Sequence, residues 1–231
     1  SLEGNSDSFR MKLSFLPNGN CVILPNINGR GYGFFKITEG ESSGLWSVLR
    51  SSEDEVLKGS LLITLYENLR WKTISPQGFR EEMLAYLPNE SNSLLFSMAL
   101  SYLGDCQRIF PSDSRPLEQV LWKIVTTNPV SQHRLQAFRL YRSIADSEEA
   151  VQRLYTLWQE RKAPKDCTLS ESDYIGLSYM LAMHLPEKAD KIIATQLSRI
   201  QNPDRKKEYQ FISPSVSPRK AERDSVFASL L

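Results

Sequence analysis

The chain has 231 residues, 41% of them hydrophobic and 24% charged, which is globular composition, sufficient for one large domain or a small one beside a large one. Its 28 lysines and arginines nearly cancel its 27 aspartates and glutamates, so the formal charge of +1 gives no electrostatic case for nucleic acid or a membrane surface. The apolar runs, such as Leu94 to Leu100 with Ser97 inside it, are too short to span a bilayer.

Ser1 to Ser8 has no apolar signal core and reads as a tag or flexible tail. Residues 9–40 contain three short runs rich in β-branched and aromatic residues: FRMKLSFL, NCVILP and GYGFFKI. They are separated by Pro17-Asn18-Gly19-Asn20 and by Pro25 to Gly31, where asparagine and glycine supply the positive φ of tight turns. These predict strands of a partial β-sandwich, since three strands cannot bury both faces alone.

From about Leu45 the period becomes helical. Leu57, Leu61, Leu65 and Leu69 form one stripe, ending near Trp71. Phe79 to Leu87 predicts a short helix stopped at Pro88, and Leu94 to Leu103 another, closed at Gly104 by a left-handed cap. Residues 116–127, 130–145, 147–161, 170–185 and 186–201 each carry apolar residues at three- and four-residue steps, joined by short linkers that keep neighbours antiparallel. Ser170 with Asp173 three residues on reads as a capping pair, and Pro116, Pro186 and Pro218 suit first turns. Asn202 to Ile212 reads as a turn, a basic cluster and an extended aromatic piece before a last helix opens at Ser217-Pro218.

The fold class expected is mainly α: an irregular α-solenoid of antiparallel helix pairs behind a small N-terminal antiparallel β element. No fixed repeat length marks a tetratricopeptide or ankyrin array. Helical solenoids offer extended binding surfaces. Two function classes follow: a free-standing helical-repeat scaffold for protein-protein interaction, or the helical lobe of a larger enzyme.

Catalytic residues: none are expected within the chain. Glu53-Asp54-Glu55, Glu81-Glu82 and Glu148-Glu149 sit near helix starts, where the dipole favours acids on a solvated face. No Gly-x-Ser-x-Gly elbow occurs, and neither His133 nor His184 has a neighbour in sequence suited to activating a nucleophile. Gly29 to Gly33 precedes a strand run, so it reads as a turn and not as a phosphate loop. Cys21, Cys106 and Cys167 are widely spaced, and no His-Glu-x-x-His occurs, so no metal site is expected. Trp122, Tyr141, Tyr155 and Trp158 lie among aliphatics at helical spacing and read as core before interface.

Two stretches carry a resemblance. LPNINGRGYGFFKI, followed by LKGSLLITLYENLRWKTISPQGFREEMLAYLPNESNSLLFSMAL, resembles the passage in zinc aminopeptidases of the aminopeptidase N type where a small β-sandwich gives way to the helical C-terminal domain. Asn28, Gly31-Tyr32, Lys58 and Glu90 occupy the motif places, Lys58 standing where arginine is usual. Toward the end, a Leu-Ser-Glu-x-Asp helix, an Asn-Pro-Asp-Arg turn, an aromatic stretch ending in Ser-Pro and an Arg-Asp-x-x-Phe helix follow in the order seen in bacterial members.

The resemblance covers roughly residues 20–231. It implies a non-catalytic C-terminal part of a zinc metallo-aminopeptidase, with residues 9–40 ending the sandwich and 41–231 forming a helical domain truncated at its C-terminal end. The parent would remove N-terminal residues from peptides with a zinc-bound water and a glutamate base. The zinc would lie in a separate catalytic domain, and the helical domain would wall the active-site chamber and restrict substrate access. The implied partners are the other domains of the peptidase and its peptide substrates, in a bacterial cytoplasm or periplasm. Arg205 and Arg223 fall in the matched motifs. Structural ion pairing is the favoured role for both, and capture of a peptide carboxylate at a substrate-binding site is the alternative.

Overall fold

The computed structural model describes residues 2–5, 8–11, 24, 26, 27, 31 and 33–230. It divides into two compact units, Ser1–Ser75 and Pro76–Leu231, and the fold is mainly α.

In the first unit, strands β1 (Leu2–Asn5) and β2 (Ser8–Met11) pair antiparallel, Leu2 opposite Met11 and Asn5 opposite Ser8. Of the predicted strand runs, the first meets β2 at Phe9 to Met11, and NCVILP, apart from Leu24, lies outside the described residues, as do Asn28, Gly29 and Tyr32. In the third run, residues 34–37 belong to no strand. Their backbone is satisfied by a side chain instead: Asn68 accepts from Ile37 N at 2.9 Å and donates to Phe35 O at 2.8 Å. Asn26 is the left-handed residue of the preceding turn, with φ 53°. Its amide closes on Gly31, donating to the carbonyl at 3.1 Å and accepting from the N–H. A Cβ at Gly31 would lie 2.9 Å from that amide oxygen and 2.8 Å from Phe35 Cζ, so a side chain there would displace one of them.

Helix α1 (Glu39–Ser51) opens on a capping box of Thr38 and Glu41, a start the apolar pattern alone did not reveal. Helix α2 (Glu55–Arg70) is capped by Asp54 and buries Leu61, Leu62, Leu65 and Leu69 against Leu45, Trp46 and Leu49 of α1. Each such leucine contributes about 1.5–3 kcal/mol of transfer free energy.

The second unit holds α3 (Pro76–Tyr86), a 3₁₀ turn at Leu87–Asn89, α4 (Ser93–Ile109), α5 (Arg115–Thr127), α6 (Ser131–Ile144), α7 (Glu148–Glu160), α8 (Glu171–His184), α9 (Ala189–Arg199), α10 (Pro203–Ile212) and α11 (Lys220–Ala228). Sequential helices pack together, α5 on α6, α7 on α8 and α8 on α9, while α6 also packs on α4 and on α8. That alternation, in which every second helix stacks along a row, is the solenoid pattern. Phe96 and Leu103 of α4, Leu121 of α5, Phe138 and Tyr141 of α6, Leu154 of α7 and Leu177 of α8 are buried along it. Tyr141 and Trp158 are core residues, whereas Trp122 and Tyr155 are half-buried.

Two expectations are corrected. Gly104 does not cap α4, which runs on to Ile109; the missing Cβ instead admits Leu140 of α6, whose Cδ1 would stand 2.9 Å from one. The stretch after Asn202 is helical, not extended. Asn202 caps α10 and Pro203 takes its first position, but only Tyr209 is buried, so no apolar stripe betrays the helix. At the end of α7, Arg199 donates to the carbonyls of Trp158 (3.0 Å) and Gln159 (3.2 Å), its guanidinium 4.7 Å from the Trp158 ring centre.

Candidate functional site

Arg205 stands in the first turn of α10, where Asn202 Oδ1 accepts from its N–H at 3.1 Å. Its guanidinium donates to Glu171 Oε1 at 3.3 Å, and Glu171 Oε2 accepts from Gln201 N at 2.8 Å. The backbone bond from Gln201 is the foremost of the contacts that hold the Glu171 carboxyl below its usual range. Glu171 opens α8 beside the capping box of Ser170 and Asp173. Asp173 is 4% exposed, and its carboxylate accepts from Arg139 Nε at 3.0 Å and Ser170 Oγ at 2.7 Å. Burial pushes its pKa up, but the bonds from Arg139 and Ser170 outweigh that and keep it ionised. The Ser-Glu-x-Asp and Asn-Pro-Asp-Arg motifs, thirty residues apart, thus meet.

Arg223 lies on α11 and donates to the carbonyls of Ser217 (2.7 Å) and Pro218 (3.0 Å), closing the turn before its helix. It shares no partner with Arg205. The widest ion pairing nearby belongs to Arg219, which sequence reasoning did not single out: it grips Asp190 at 2.8 Å and Glu222 at 2.6 Å.

The fold also makes a pair that sequence adjacency hides. Ser93 Oγ lies 3.0 Å from His133 Nε2, forty positions away. This is half of a nucleophile-and-base arrangement, but the rest is missing. His133 is 0% exposed, stacked on Phe96 at 4.0 Å and 6°, and its Nδ1 has no hydrogen-bond partner, so no carboxylate orients the ring. The nearby Glu90 is engaged by Tyr86 Oη and Asn92 N, helping to turn the chain into α4.

A groove of about 520 Å³ in the second unit is lined by α5 and α7. At its base the buried Glu118 carboxylate accepts from Ser114 Oγ at 2.8 Å, Asp146 N at 2.8 Å, Ser147 N at 3.1 Å and Ser147 Oγ. Desolvation raises its pKa, and these bonds more than reverse the effect. Ala150 leaves depth beside it, and Trp122 forms a wall with the Arg153 guanidinium 4.7 Å from its ring centre. Arg153 also donates to Tyr141 Oη at 2.9 Å and to Glu149.

Among the described residues no group of three or more His, Cys, Asp or Glu is placed to hold a metal ion, and no helix is long and apolar enough to cross a membrane. Burial pushes the thiols of Cys106 and Cys167 up, away from the thiolate that reacts. No family model, curated protein or solved structure matches the chain.

Proposed function

We propose that the chain is the non-catalytic C-terminal part of a zinc aminopeptidase of the aminopeptidase N type, in which the helical region walls the substrate chamber and limits which peptides enter. The observation supporting this reading is the contact of Glu171 with Arg205 and Gln201, which joins two of the motifs that carry the resemblance into one structural joint. A series of motifs that closes on itself in space is better explained as an inherited architecture than as scattered coincidence. On this reading the zinc and the glutamate base belong to a separate catalytic domain.

A second reading, a free-standing helical scaffold for protein-protein interaction, draws on the open α5–α7 groove. One experiment separates them. The full gene product is assayed on aminoacyl-p-nitroanilides with and without a zinc chelator, alongside the isolated chain. Chelator-sensitive hydrolysis by the former and none by the latter is expected. A gene product that lacks a His-Glu-x-x-His segment and releases no p-nitroaniline overturns the peptidase reading.

A further inference from the structure

We propose that the cleft where the end of α7 meets α8 and α9 binds a small oxyanion, a carboxylate or phosphate group, between Arg161 and Arg199. This inference stands apart from the peptidase reading, and neither arginine belongs to the motifs that carry it.

Arg161, Glu171, Tyr174, Gln196 and Arg199 line the cleft. Arg161 is the left-handed residue that ends α7, with φ 54°, and its guanidinium stands 5.4 Å from the ring centre of Tyr174 on α8. Arg199 comes from α9 and is anchored on the carbonyls of Trp158 and Gln159. Neither arginine has an ion-pair partner among the described residues. Glu171, the carboxylate in the lining, is already engaged by Gln201 N and Arg205. The two cations also feel each other: after burial, the charge of Arg161 is the next cause holding the Arg199 guanidinium below its ordinary pKa. An anion between them relieves that repulsion and pairs both.

The buried donors point the same way. Gln196 is 1% exposed and spends its Oε1 on Trp158 Nε1 at 2.8 Å, while its Nε2 finds no acceptor among the described residues. Tyr174 is 8% exposed, and its hydroxyl has no hydrogen-bond partner among them either. Two guanidiniums, an amide and a hydroxyl thus border one space. A cation would find no free acceptor there, an apolar group would leave buried donors unpaired, and a water would leave the two charges uncompensated. The cleft measures about 10 Å³, room for one water-sized atom. One oxygen of the ligand therefore enters, and the rest stays in solvent, which suits the end of a carboxylate or phosphate.

The test is a titration of the isotopically labelled whole chain at neutral pH, read by NMR at the Trp158 indole N–H and the Gln196 side-chain amide. Sodium phosphate and sodium acetate are the two probes, with sodium chloride at matched ionic strength and acetamide as controls. A saturable shift of both signals, half complete at about 10 mM or below, is expected with at least one probe. Tighter binding of phosphate assigns the natural ligand to phosphate esters, and tighter binding of acetate assigns it to carboxylic acids. Arg161→Gln, an exposed change, should weaken binding about tenfold, and Tyr174→Phe, which removes a hydroxyl without a protein partner, about threefold. Lys206→Gln on α10 should leave it unchanged. Shifts that do not saturate, that sodium chloride or acetamide reproduces, or that persist unweakened in both Arg161→Gln and Tyr174→Phe overturn the proposal.

Discussion

Asn68 on α2 serves Ile37 and Phe35 as a neighbouring strand would, accepting from the amide of one and donating to the carbonyl of the other. Its Nδ2 is also within 2.8 Å of Thr64 O and its Oδ1 accepts from Thr73 Oγ1. One fully buried side chain therefore fixes the segment that leads into α1. Replacing it with alanine strips the buried Ile37 amide of its partner, which costs about 2–3 kcal/mol by the penalty for unsatisfied groups. Urea unfolding of the chain, followed by circular dichroism, should show that loss, with Asn68→Asp intermediate. A change below about 0.5 kcal/mol would contradict this role.

His133 gives the chain an acid-side weakness. Burial holds its imidazole below its ordinary value, the charge of Glu90 opposing this only in part. The unfolded chain protonates this histidine near pH 6.5 while the folded one keeps it neutral, so the unfolded state binds more protons as pH falls. Stability is then full above 6.5 and declines below it toward the lowered folded value, by up to about 1.4 kcal/mol per pH unit. Urea midpoints between pH 7.5 and 5.5 should fall for the native chain and flatten in His133→Phe, which keeps the stacking on Phe96. An equal slope in both proteins assigns the effect elsewhere.

Glu118 works with the opposite chemistry. Its folded pKa lies below the usual value because the donors outweigh desolvation. Its contribution is present above the unfolded carboxyl value of 4.5 and disappears as pH falls through the lower folded one. Glu118→Ala leaves the Asp146 and Ser147 amides unpaired and should cost about 3 kcal/mol near neutral pH, while Glu118→Gln, which keeps one acceptor, should cost about half that. Calorimetry of the two variants checks the ranking.

The Glu171–Arg205 pair is more exposed, at 20% and 46% of the side chains, and a double-mutant cycle with Glu171→Gln and Arg205→Gln should give a coupling of about 0.5 kcal/mol. The coupling should shrink in high salt. A coupling indistinguishable from zero would remove the joint on which the motif argument relies.

The sequence exposed whatever repeats locally. The leucine stripe of α2, the Ser170 and Asp173 cap of α8 and Pro116 in the first turn of α5 are each readable within one or two turns, because propensity and capping act over that range, whereas Pro186 opens a 3₁₀ turn ahead of α9 and Pro218 precedes the Arg219 cap of α11. Helix α10 was readable only through Asn202-Pro203-Asp204, since PDRKKEYQFI has no stripe and its burial is confined to Tyr209. Gly104 was misread because a glycine needed for close helix approach looks the same as one needed for a left-handed turn. The contacts of Glu118 with Ser147, Ser93 with His133 and Asn68 with Ile37 join positions about thirty or forty residues apart, and a single sequence contains no signal for such pairings.

Arg199 reaches 41 positions back to the final carbonyls of α7, acceptors that the helix itself cannot satisfy. Fraying at that end therefore demands that α9 let go at the same time. In hydrogen exchange the two termini should open as one cooperative event, slower than either would alone, so the stack is riveted across its repeats as well as packed between them.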